Sequence, residues 1–223
     1  MNLLIKCTTK QREIIFKELR KEFRIHSIED KLNTHAEIIL EAINRDDSGL
    51  TFRMMRGVIA EAAFEIEVLA KLKSWKEITP NGDLPYDYLL TDGSVDISVQ
   101  VKLQRSLAFE PMMANQAYKR FSSDLFVVET QRTRGGIDAA TKESTRPYKF
   151  GEFNILAVSM HPSTSNWTSF MYTVADWLIP EVKESFRILK FQPVSPKTNE
   201  DWTDNFETCV NWFKQGKKKT IQL

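Results

Sequence analysis

The sequence predicts an α/β fold, a central mixed β-sheet flanked by helices with a helical region ahead of it. Three observations predict it. Residues 84–104 carry two runs rich in Val, Ile, Leu and Tyr around Thr91-Asp92-Gly93-Ser94, the pattern of a β-hairpin, since Asp-Gly suits the positive φ of a two-residue turn. Residues 125–130 (LFVVET) and 155–158 are short continuous apolar runs, as buried strands are. Residues 8–73 and 204–215 instead repeat their apolar residues at helical spacing.

Taken in order, Thr8 or Thr9 caps a first helix through Glu22 that turns Ile14, Ile15, Phe16 and Leu19 inward. A second helix is predicted over residues 28–43, where Ile28, Leu32, Ala36, Ile39, Leu40 and Ile43 recur. A polar loop, 44–49, separates it from a third over 51–73, whose predicted core stripe is Met54, Val58, Ala62, Ile66, Leu69 and Leu72. Glu61 lies beside that stripe. After the hairpin come a short helix within 109–121, the strands 125–130 and 155–158, further strands at 170–174 and 188–191, and a last amphipathic helix over 204–215. Lys217, Lys218 and Lys219 read as a solvated tail. These elements make one domain of residues 1–223: a helical extension over 1–50, a core over 51–160, and strands with a helix over 161–223 that complete it.

A net charge of +1 means that any nucleic-acid surface must come from local clustering rather than overall basicity. Cys7 and Cys209 are too few for a disulfide framework, and no Cys/His set has zinc spacing. The N-terminus becomes charged too soon for a signal peptide and no run of about 18 apolar residues exists, so the expectation is a cytoplasmic protein without a membrane partner. No phosphate loop, HExxH or GxSxG occurs.

With Asp92 and Gly93 as the loop, Thr91 pairs with Ser94, Leu89 with Asp96, and Asp87 with Ser98. The second strand alternates, with Val95, Ile97, Val99, Val101 and Leu103 on one face and Asp96, Ser98, Gln100, Lys102 and Gln104 on the other. Asp87 then shares a polar face with Gln100 and Lys102, so that an acid, a carboxamide and a lysine meet on rigid elements. Residues 131–149 follow the strand at 125–130 and hold five basic residues (Arg132, Arg134, Lys142, Arg146, Lys149) against Asp138 and Glu143. With Gln131 and the flexible Gly135-Gly136 pair, this segment is the best candidate for a nucleic-acid arm, because Arg and Gln contact phosphates and base edges.

Pro85-Tyr86-Asp87, twelve intervening residues and Gln100-Val101-Lys102 resemble the core of the PD-(D/E)xK nucleases, with Gln100 where the family has an acid, a variant that some type II restriction endonucleases carry. Gly57 and Glu61 resemble the G-x-x-x-E helix of restriction and repair nucleases in that superfamily. Residues 146–158, RPYKFGEFNILAV, are similar to a bacterial restriction endonuclease segment reading R-P-Y-x-x-G-E-F-D, with Asn154 at the Asp. The resemblance implies a restriction-endonuclease-like core and a Mg²⁺-dependent type II enzyme of a bacterial or archaeal cytoplasm. Such an enzyme cuts double-stranded DNA at a short specific sequence. Asp87, Gln100, Lys102 and Glu61 would be catalytic, and Asp87, Gln100, Glu61 and the Val101 carbonyl would face the metal. Gln104, Arg105 and the basic residues of 131–149 would contact DNA. A homodimer is implied for a palindromic site, as is a cognate methyltransferase encoded alongside rather than stably bound. A structure-specific or repair nuclease, and a DNA-binding protein with a decayed site, are the alternatives.

Overall fold

The computed structural model describes the chain apart from residues 1, 25, 47–48, 80–81, 83, 133–134, 138–141, 143 and 223, and gives the backbone alone of residues 2, 3 and 21. It divides into two compact units, Met1–Met55 and Arg56–Leu223.

The first unit holds α1 (Asn2–Ile5), α2 (Thr9–Glu22), α3 (Ser27–Lys31), α4 (Ala36–Asn44) and the start of α5 (Leu50–Glu67). The hydroxyl of Thr8 accepts from the Gln11 N–H and the Gln11 side chain answers on the Thr8 N–H at 2.9 Å, a reciprocal cap that fixes where α2 starts. The helix predicted over 28–43 is two helices. Asn33 takes φ +48° between them. The buried carboxylate of Glu29 accepts from the His26 N–H (2.8 Å) ahead of α3 and from the Ala36 N–H (2.7 Å) at the start of α4. Continuous apolar spacing did not register that one side chain can cap two helix starts. Ile14, Phe16 and Leu19, predicted to turn inward, are exposed, since short helices in so small a unit cover little.

The second unit is built on a five-stranded mixed sheet in the order β1-β2-β3-β7-β8. Its strands are β1 (Lys76–Ile78), β2 (Tyr88–Thr91), β3 (Asp96–Leu103), β7 (Ile155–Ser159) and β8 (Phe170–Val174). Between β3 and β7 run the small ribbon of β4 (Ser106–Leu107) and β5 (Glu110–Pro111), α6 (Ala114–Ala117) and β6 (Phe126–Glu129). The helix expected within 109–121 is thus only α6. After β7 come α7 (His161–Thr164), β9 (Phe191–Val194) and α8 (Phe206–Lys214). β6 pairs with β9 outside the main sheet, and the strand predicted at 188–191 begins only at Phe191.

The hairpin forms with a longer loop than predicted. Thr91 pairs with Asp96 and Tyr88 with Val99, so the register is displaced by two residues and Asp87 falls beside Gln100 rather than Ser98. A slip of two preserves the faces. The loop closes through Asp92, whose Oδ1 accepts from the Ser94 N–H (2.8 Å), the Ser94 hydroxyl (2.7 Å) and the Val95 N–H (3.0 Å), while only Gly93 takes positive φ. Oδ2 of Asp92 pairs with Lys214 at 2.8 Å, and this ammonium, with the Ser94 bonds, holds the carboxyl well below the usual carboxylate range. A depressed carboxyl stabilises above its unfolded pKa of about 4 and loses that contribution as pH falls. Asp92→Ala is therefore expected to lower the denaturant midpoint at pH 7 and to lie closer to wild type at pH 3. An equal gap at both pH values would locate the effect in turn geometry rather than in charge.

Phe64, on α5, centres the apolar face of the sheet, its ring 5.3 Å from Tyr88, 5.6 Å from Phe170 and 6.2 Å from Phe206 of α8. Ala60, Ala63 and Phe64 are the buried residues of this helix, whereas Met54, Val58 and Ile66 of the predicted stripe are exposed. β7 and β8 are buried along their whole length. Of the three lysines near the end, Lys217 and Lys218 are exposed as expected, but Lys219 is fastened: its Nζ pairs with Asp201 at 2.7 Å and stands 4.0 Å over the Trp177 ring. Among the described residues no helix is long and apolar enough to cross a membrane.

Candidate active site

A cleft of about 550 Å³ opens on the polar face of the hairpin, lined by Glu61, Leu84, Pro85, Asp87, Gln100, Lys102, Arg132, Gly135, Gly136, Thr145 and Tyr148. Asp87 sits one residue ahead of β2, where its N–H donates to the Val99 carbonyl at 3.0 Å. Its Oδ2 accepts from the Val101 N–H at 2.7 Å and from Gln100 Nε2 at 2.5 Å. Lys102 follows on the same face of β3. Glu61 arrives from α5, whose backbone is fixed by the Tyr88 hydroxyl donating to the Glu61 carbonyl at 2.9 Å. The cleft therefore assembles the four residues predicted as catalytic from three places in the chain.

Tyr148 was not among those predicted. It is buried, its hydroxyl donates to Gln100 Oε1 at 3.1 Å, and Lys102 Nζ (5.4 Å) and Arg132 Cζ (5.3 Å) both stand over its ring. Arg132 in turn pairs with Glu152 at 2.8 Å, and Glu152 accepts from the Lys149 N–H at 3.0 Å. Arg132, Gly135, Gly136, Thr145 and Tyr148, all from the chain after β6, thus form a wall of the cleft. A Cβ at Gly135 would stand 1.9 Å from Cγ of the exposed Arg146, so any larger residue there would have to displace that side chain.

Charge in the cleft is balanced by two acids and two cations. Burial raises the pKa of Asp87 although the residue opens on solvent, with the Lys102 charge and the bonds from Val101 and Gln100 opposing it. Burial also raises Glu61, and the neighbouring negative charge of Asp87 adds to it. Lys102 is lowered by burial against the pull of Asp87 and Glu61. Burial and the Asp87 charge push the Tyr148 phenol far up, so it remains a donor at neutral pH. Among the described residues no three His, Cys, Asp or Glu side chains gather as a metal site. The oxygen donors that line the cleft include the Glu61 and Asp87 carboxylates, hard oxygen atoms of the kind that Mg²⁺ takes while keeping several waters.

The remaining predicted contact residues scatter. Gln104 is buried, with its Oε1 accepting from the Ser163 N–H at 3.1 Å, so it faces the interior rather than a ligand. Arg105 pairs with Glu129 at 3.1 Å. Gln131 bridges to Pro147. Lys142, Arg146 and Lys149 are exposed, and Arg134 lies outside the described residues. Asn154 is structural: its Oδ1 accepts from the Ser98 N–H and hydroxyl, both at 2.8 Å, and stitches the start of β7 to β3.

No family model matches the sequence and no curated protein does. Among solved structures, the fold is similar to that of a bacterial homing endonuclease, 17% identical over 73% of this chain and 94% of that one, with a TM-score of 0.41.

Proposed function

We propose that the protein is a Mg²⁺-dependent type II restriction endonuclease that hydrolyses phosphodiester bonds of double-stranded DNA at a short specific sequence. The observation that supports this reading is the meeting of Asp87, Glu61 and Lys102 in one cleft whose wall carries Arg132. Asp87, Glu61 and the Val101 carbonyl would hold the cation. A bound Mg²⁺ would act as a Lewis acid on the phosphate and lower the pKa of a bound water.

The protein's own residues do the rest. Lys102 orients the attacking water and offsets the charge that grows on the pentacovalent phosphorus as the water oxygen bonds to it and the ester oxygen leaves. Arg132 and the exposed Lys142, Arg146 and Lys149 attract the phosphate backbone, giving affinity that falls with salt. A two-fold dimer would present two such clefts to a palindromic site, and a methyltransferase encoded alongside would protect the host's own DNA.

Incubating the purified protein with phage DNA and Mg²⁺ tests the reading. Discrete fragments support restriction, a smear or cutting confined to branched DNA supports a structure-specific nuclease, and intact DNA leaves a binding protein. Lys102→Met is expected to slow single-turnover cleavage by about 100-fold or more, with duplex binding in Ca²⁺ changed little. An unchanged rate would remove Lys102 from the chemistry.

A further inference from the structure

Gln100 occupies the position where an acid would face the cation, and its surroundings define what its amide does. Two oxygens flank one end of that amide: Oδ2 of Asp87 at 2.5 Å and the Val101 carbonyl at 3.2 Å. A carbonyl only accepts hydrogen bonds, as does an ionised carboxylate, so the end between them is the nitrogen. The other end, Oε1, accepts from the Tyr148 hydroxyl at 3.1 Å. Gln100 is 2% exposed and Tyr148 4%, so neither exchanges its partner for water at low cost.

Among the described residues, both hydrogen bonds accepted by the Asp87 carboxylate fall on Oδ2, one from the Val101 N–H and one from Gln100. One carboxylate oxygen is held by the protein, which leaves Oδ1 to be presented to the cleft. The Tyr148 ring, edge-on to Phe153 with centroids 5.3 Å apart, is itself fixed by packing. A chain of contacts thus runs from the core through Tyr148 and Gln100 to Asp87.

Resting on the nuclease reading above, we infer that Gln100 is a positioning residue that orients Asp87 by donating to it, rather than a metal ligand, and that Tyr148 is the residue that holds Gln100 in this sense. The site then has one anionic ligand fewer than an acid would supply. The carboxamide supports Asp87 without the repulsion that a second carboxylate 2.5 Å from Oδ2 would bring.

The test uses the full chain and two readouts: Mn²⁺ binding without DNA, followed by electron paramagnetic resonance, and single-turnover cleavage in saturating Mg²⁺. Tyr148→Phe keeps the ring and removes the hydroxyl. It is expected to slow cleavage by about 10- to 100-fold, the usual cost of a lost outer-shell partner, while Mn²⁺ affinity stays within about threefold of wild type. Gln100→Leu should behave likewise, and Asp87→Ala should lose Mn²⁺ binding altogether. A ligand role for Gln100 would instead show as tighter Mn²⁺ binding in Tyr148→Phe, where Oε1 of Gln100 is freed, and in Gln100→Glu, together with a loss in Gln100→Leu as large as that of Asp87→Ala. Either pattern overturns the inference, as does full-rate cleavage by Tyr148→Phe. A wild-type protein that binds Mn²⁺ nowhere and cuts no DNA would overturn the nuclease reading itself, whereas active wild type with an equally active Tyr148→Phe overturns this inference alone.

Discussion

Asp87→Ala is expected to lower cleavage by at least about 10³-fold, equivalent to about 4 kcal/mol of transition-state stabilisation. Its carboxylate joins the two strands of the hairpin at the floor of the cleft and offers one oxygen there. Folding should survive. The substitution leaves the Val101 N–H and the Gln100 amide without their acceptor, at about 1–3 kcal/mol, but it also removes a carboxylate whose raised pKa shows that burial opposes its charge. Thermal denaturation and duplex binding in Ca²⁺ separate the outcomes. Lost cleavage with retained binding places Asp87 in the chemistry, a collapsed melting temperature makes it structural, and wild-type rates would end the assignment of the cleft.

The largest effect on stability is expected at Phe64→Ala, about 3–5 kcal/mol in urea denaturation. The ring is fully buried and meets Tyr88, Phe170, Tyr172 and Phe206, so its removal opens a cavity where α5, the sheet and α8 converge. For a chain of this size that is roughly a 10 °C fall in melting temperature. Activity should fall with it, because Tyr88, which packs on Phe64, also fastens the backbone of Glu61. A loss below about 1 kcal/mol would mean that the neighbouring rings close the gap.

What the sequence disclosed depended on the range of the signal. The hairpin was legible because alternation and Asp-Gly are local, and Asp87, Gln100 and Lys102 stayed on one face although the pairing slipped by two, since faces repeat every second residue. The register was not legible: the extra loop residues are stabilised by the Asp92 side chain, which composition does not distinguish from a two-residue turn. On α5 the expected stripe through Val58 and Ile66 lost to Ala60, Ala63 and Phe64, because several sets of positions on that helix have apolar spacing and the fit of one aromatic ring among four others selects between them. Tyr148 was hidden for another reason, and Arg132 was legible as one of five basic residues expected to contact DNA but not as a side chain lining the cleft. Their places depend on a long excursion between β3 and β7 that returns to the hairpin, and nothing in residues 131–149 announces that return. The RPYKF resemblance contained Tyr148, but it pointed to the segment and not to the side chain.

The parallel pairing of β3 with β7 has a consequence for how the protein comes into being. A hairpin can close as soon as its own residues are available, but a parallel pair must wait for the whole intervening chain, here residues 104–154, and bears the entropy of that loop. Tyr148 lies within this stretch, seven residues before β7, and Arg132 lies deeper in it. A nascent chain extending only to Lys102 already carries Glu61, Asp87 and Gln100, yet it lacks both the wall of the cleft and the strut beneath Gln100. The finished cleft therefore needs the chain well beyond the hairpin, and a chain that ends at Lys102 does not have one.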